Sequence, residues 1–186
     1  NILSVQRLNR HQNKWELLMV NAKSGTPTVS VLETNKYYVD INDDLKFLDD
    51  KKHFIMKSER NGYYHLYLHK NNGPQVFQVT DGKWDVDQFL GIDEKNGKVY
   101  FTSTKVSSME RHIYSVDVDG NNMVQLSSKA GWNGARFSAD MSTYLYTYSS
   151  ANSPMEYSIC NNNGAELRSL EKNEEFKKTM ESLNMS

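Results

Sequence analysis

Four glycines set the period of this chain. Gly25, Gly73, Gly120 and Gly164 stand 48, 47 and 44 residues apart. Before each lies a strand-like run, W-E-L-L-M-V, H-L-Y-L-H, H-I-Y-S-V or M-E-Y-S-I-C, and after each comes T-V-S-V-L, V-F-Q-V-T, M-V-Q-L-S or E-L-R-S-L. Glycine accepts the positive φ that a tight hairpin demands, so each copy reads as two antiparallel strands joined by a short turn. Asn61-Gly62, Asn72-Gly73, Asp81-Gly82 and Asn96-Gly97 punctuate the clearest copy, His53 to Thr104, and predict hairpin turns there. A repeat of this length built from four short strands matches a propeller blade.

The inner strand pairs precede the hairpins: Leu45 to Leu48 with Phe54 to Ser58, Asp85 to Ile92 with Val99 to Thr104, and Asn133 to Ser138 with Thr143 to Ser149. The reading is therefore all-β, about three and a half four-stranded blades. An incomplete blade covers 1–33, with one earlier strand over Ile2 to Leu8, and blades follow over about 34–80, 81–128 and 129–172. Such a number cannot close a ring, in which each blade is covered by a neighbour on both sides. Both ends accordingly read as cut from something longer, with open blade faces. From Asn173 the period changes. Phe176, Met180 and Leu183 fall at i, i+4 and i+7, with Asn173 as a candidate N-cap, which predicts a short amphipathic helix over 173–186.

Eleven Tyr, seven Phe and three Trp beside three Pro suit half-buried pleated surfaces. A net charge of −1 gives no summed field toward nucleic acid or an anionic membrane, so neither is an expected partner. The one cysteine, Cys160, excludes an internal disulfide framework, and with no histidine in the C-terminal third it reads as a small core residue.

The candidates for chemistry each resolve into structure. None of the glycines opens a G-x-S-x-G elbow, so serines such as Ser58 and Ser149 lack the exposed position of a hydrolase nucleophile. His65 and His69 have the i, i+4 spacing of a helical metal pair, but on a strand that spacing separates them by about 13 Å. Asp117-Val118-Asp119-Gly120-Asn121 has the start of a calcium loop with its glycine two positions early and no closing Glu, and reads as a hairpin turn. Tyr144, Tyr146 and Tyr148 alternate as a blade core requires. Glu59-Arg60 and Glu110-Arg111 read as loop-anchoring charge pairs near strand ends. Asn184-Met185-Ser186 matches a glycosylation acceptor by pattern alone. No catalytic, cofactor-binding or metal-ligating residue is assigned.

Several stretches resemble the N-terminal propeller of the dipeptidyl peptidase IV family, in its bacterial branch. They are S-E-R-N-G-Y-Y-H-L-Y-L at Ser58, Q-V-T-D-G-K-W-D-V at Gln78, G-I-D-E-K-N-G-K-V-Y-F-T-S-T at Gly91, E-R-H-I-Y-S-V at Glu110, F-S-A-D at Phe137 and Y-S-S-A-N-S-P at Tyr148. R-L-N-R-H-Q-N-K at Arg7 and L-E-K-N at Leu170 extend the match to both ends. The resemblance implies the later half of an eight-bladed ring over an α/β-hydrolase domain, in a serine exopeptidase that releases N-terminal Xaa-Pro peptides. The implied partners are peptides with a penultimate proline and the protein's own hydrolase domain, with a homodimer and a periplasmic or secreted location by analogy. The family's catalytic and amine-binding residues match no position here, and 173–186 would lead toward the absent hydrolase domain. Tyr37 to Ile41 and Lys105 to Arg111 lie where family loops face the central cavity, without a residue match that names a contact. On the residues alone, a stand-alone propeller module that binds a protein or glycan requires the same blades.

Overall fold

The computed structural model describes residues 2–41, 43–71 and 76–183. Four antiparallel sheets follow one another along the chain, each made of strands adjacent in sequence. The first has three strands, β1 (Ile2–Leu8), β2 (Lys14–Asn21) and β3 (Pro27–Thr34). The second holds β4 (Leu45–Phe47), β5 (His53–Ser58), β6 (His65–Lys70) and β7 (Val76–Gln78). The third holds β8 (Val86–Asp93), β9 (Lys98–Ser103), β10 (His112–Asp117) and β11 (Val124–Gln125), and the fourth β12 (Trp132–Phe137), β13 (Thr143–Ser150), β14 (Ser153–Asn161) and β15 (Glu166–Glu171). One helix, α1 (Glu174–Ser182), ends the described chain.

The period-2 alternation of a strand explains how the sheets stack. In β9, Phe101 stacks on Trp84 and Tyr114 in a core shared with Ile55 and Leu66 of the second sheet, while Tyr100 turns the other way onto Phe137 of the fourth, 4.5 Å between centroids. The third sheet is thus buried on both faces. Trp15, Leu17, Met19 and Val31 of the first sheet meet Phe54 and Met56 of the second, and Ile113 of the third meets Tyr144 and Cys160 of the fourth. Three cores therefore lie between successive sheets. Among the described residues, Leu3, Val29 and Leu32 of the first sheet and Met155, Leu167 and Leu170 of the last are exposed on the outer faces of the stack. Those are the open faces an unclosed ring requires.

Gly25, Gly120 and Gly164 all carry positive φ in hairpins between the third and fourth strands of a unit, or the last two in the first sheet. Asn72 and Gly73 lie outside the described residues. Asp81-Gly82 corrects the expectation of a hairpin: it falls between β7 and β8, on the link from one sheet to the next. Gly82 is needed there because its φ is 139° and the Trp84 indole fills the space beside it. Around α1, Asn173 is not a side-chain N-cap. It has a φ of 52° and its Nδ2 donates to the Met155 carbonyl, tying the helix start to β14. Lys177 anchors the helix to Glu156, and Phe176 and Leu183 stay exposed. Asn184, Met185 and Ser186 lie outside the described residues.

Candidate functional site

An open cavity of about 540 Å³ is set where the first three sheets meet. The end of β3 supplies Glu33, the link from β3 to β4 supplies Val39, Asp40, Ile41, Asp43 and Asp44, and the end of β5 leads to Lys57, Ser58, Glu59 and Arg60. Tyr64, the stretch Asp85 to Asp87 and Arg111 close the far side. The wall is built from turns and strand ends because the links between sheets and the turns after their second strands lie along the same edge of the stack.

Seven carboxylates and three cations line it: Glu33, Asp40, Asp43, Asp44, Glu59, Asp85 and Asp87 against Lys57, Arg60 and Arg111. The cations are each committed. Lys57 pairs with Asp44 at 2.7 Å and donates to the Asp87 carbonyl, linking the second and third sheets. Arg60 reaches across to Glu33 of the first sheet, with its guanidinium 4.3 Å from the Tyr67 ring centroid. Arg111 pairs with Asp87 at 2.9 Å and lies 4.7 Å from the Trp132 ring centroid. Of the remaining four acids, Asp40 accepts from Tyr38 and from the Ile41 amide, and Asp85 accepts from the Tyr64 amide. Among the described residues no ion pair reaches Asp40, Asp43, Glu59 or Asp85. Burial, and then the neighbouring Glu59, push the Tyr64 phenol up to about 12, so it stays a neutral donor.

Neither charged dipeptide pairs internally. Arg60 and Arg111 reach Glu33 and Asp87, while Glu110 meets His112 at 2.7 Å. Ser58 is 5 % exposed; its hydroxyl donates to Glu33 and accepts from Arg60, and no histidine lines the cavity beside it. His65 and His69 go to different surroundings, His65 to Thr80, Gly82 and a T-shaped contact with Trp84, His69 flat on Phe54. Cys160 is buried against Tyr144, and burial pushes its thiol up. Asp117 to Asn121 form a hairpin turn, with Gly120 donating to the Asp117 carbonyl and Lys98 bound to the Asp117 carboxylate. The cavity's charge pattern was not legible in the sequence, because its lining comes from separate strand ends and turns. The stretches Tyr37 to Ile41 and Lys105 to Arg111 do reach it, through Val39, Asp40, Ile41 and Arg111.

A stack of antiparallel blades of three or four strands, with an acidic cavity where three of them meet, defines a propeller segment. Residues 1–155 match the dipeptidyl peptidase IV N-terminal region, and the chain belongs to that family. It is 35% identical over 116 residues to dipeptidyl peptidase 4 of Arthroderma otae, covering 60% of this chain and 15% of that protein. Dipeptidyl peptidase 4 of Trichophyton equinum is 28% identical over 160 residues, 83% of this chain and 21% of the relative. The crystal structure of Porphyromonas gingivalis dipeptidyl peptidase 4 superposes with a TM-score of 0.88 at 34% identity, over 97% of this chain and 26% of that one. The chain thus spans about a quarter or less of the length of these relatives.

Proposed function

We propose that this chain is the later half of an eight-bladed propeller in a serine exopeptidase, and that its cavity forms part of the route by which N-terminal Xaa-Pro peptides reach an α/β-hydrolase domain. One observation carries the reading: three successive blades combine fixed turns into an open cavity of about 540 Å³ whose lining holds binding groups and no nucleophile–base pair. Rigid loops favour chain termini over folded polypeptide, so selectivity arises from the energy needed to thread a bulky substrate. The exposed Phe176 on α1 fits a docking face toward the hydrolase domain. The full-length polypeptide containing this chain is expected to hydrolyse Gly-Pro-4-nitroanilide and free Xaa-Pro peptides, and to spare folded proteins with the same N-terminus. Equal hydrolysis of folded and unfolded carriers would remove the gating role; no hydrolysis at all would remove the peptidase reading. Phe176→Asp is expected to weaken the docking of the two domains, measured as loss of their common unfolding transition.

A further inference from the structure

Arg111 is held more firmly than an ion pair alone requires. Its backbone amide donates to the Gly131 carbonyl and its own carbonyl accepts from Asn133, which fixes it beside β12. Its Nη1 donates to the carbonyls of Ser108 and Glu110. The guanidinium lies against Trp132, and its Nε stands 2.9 Å from Asp87 Oδ1, close enough for an ion pair but without hydrogen-bond geometry. Nε is thus held against Asp87, and among the described residues Nη2 alone of the guanidinium nitrogens has neither a hydrogen bond nor an ion pair. An arginine already immobilised loses little further freedom when its remaining donor binds. Arg111 lines an open cavity, so an acceptor for Nη2 can arrive from outside.

The charge around it decides what kind of acceptor. Asp87 already neutralises the guanidinium, and Asp40, Asp43, Glu59 and Asp85 leave the cavity with surplus negative charge. A carboxylate entering it is repelled; a neutral carbonyl is not. Trp132, 53% exposed, offers apolar surface next to the donor. We propose that Arg111 is a fixed hydrogen-bond donor to a main-chain carbonyl of a peptide lying in this cavity, and that the cavity selects neutral and basic peptides over acidic ones. The inference rests on the reading of the cavity as a peptide route and adds the substrate's charge class and the residue that holds it.

The test uses the full-length polypeptide containing this chain and decapeptides that begin Gly-Pro, carry a reduced, uncleavable bond after the proline, and differ only in three downstream residues, all Lys, all Gln or all Glu. Binding is measured by calorimetry at low and high salt. The Lys peptide is expected to bind at least about tenfold more tightly than the Glu peptide at low salt, with the gap shrinking as salt screens it. Arg111→Ala is expected to weaken the Gln peptide about tenfold, the size of one charge-assisted hydrogen bond, and Arg111→Lys to recover part of that loss. Asp87→Asn is expected to narrow the gap between Lys and Glu peptides. Equal affinities across the three peptides, or an Arg111→Ala protein that binds the Gln peptide as the unaltered protein does, would overturn the proposal. The charge series needs no substitution, so a variant that fails to fold leaves it decisive. Loss of Gly-Pro-4-nitroanilide hydrolysis tests the peptidase reading separately.

Discussion

A Cβ placed on Gly82 would stand 2.1 Å from the Trp84 Nε1, so the two residues share space that glycine alone leaves free. Trp84 cannot yield, because its ring stacks on Phe101 and meets His65 in a T-shaped contact. Gly82→Ala is therefore expected to lower stability by about 2–5 kcal/mol, combining overpacking with a left-handed backbone at φ 139°. The urea midpoint of purified protein measures this; an unmoved midpoint would show that the indole relocates freely.

His69 is 2% exposed and stacks on Phe54 with centroids 4.9 Å apart. Burial, aided by the nearby Arg60, lowers its pKa to about 4 from the usual 6.5. The folded state therefore binds fewer protons than the unfolded chain between those values, and stability rises with pH across that window. The contribution is complete above about pH 6.5 and is lost as pH falls toward 4, amounting to about 3 kcal/mol. His69→Gln is expected to flatten that part of the stability profile in denaturant titrations from pH 7 to 4.

Arg60 and Glu33 join the first two sheets, with Ser58 donating to the same carboxylate oxygen. The pair is partly buried, so a double-mutant cycle of Arg60→Gln and Glu33→Gln is expected to return a coupling of about 1 kcal/mol. A coupling indistinguishable from zero would make the contact incidental to blade packing.

Glu156 is 7% exposed and receives both Lys129 and Lys177, which ties α1 to β14. Burial raises its pKa, yet the two lysines outweigh that and hold it below the usual carboxylate range. The anchor is thus present above the ordinary glutamate pKa and weakens as pH falls through the lowered value. Glu156→Gln is expected to speed amide exchange in Glu174–Ser182 several-fold while the β9 amides stay protected, as local opening of the helix requires.

The blades were legible because their signals are local. Gly25, Gly120 and Gly164 need only their own φ to mark a hairpin, and the alternation of β9 assigns Val99 and Phe101 to one face and Tyr100 to the other without knowledge of either neighbour. The same locality misled at two places. Asp81-Gly82 has the form of a hairpin turn, yet Trp84 packing makes it a link between sheets. Asn173 has the form of an N-cap, yet the nearby Met155 carbonyl takes its side chain.

By itself, the sequence determined an all-β repeat with open ends, because backbone conformation and side-chain alternation are properties of neighbouring residues. Only the tertiary structure decided that Glu33, Asp40, Lys57, Asp87 and Arg111, drawn from strand ends and links up to 78 positions apart, share one cavity. Stacking of separate sheets brings such residues together, and no spacing within one strand or turn encodes which charges will then face one another across the gap.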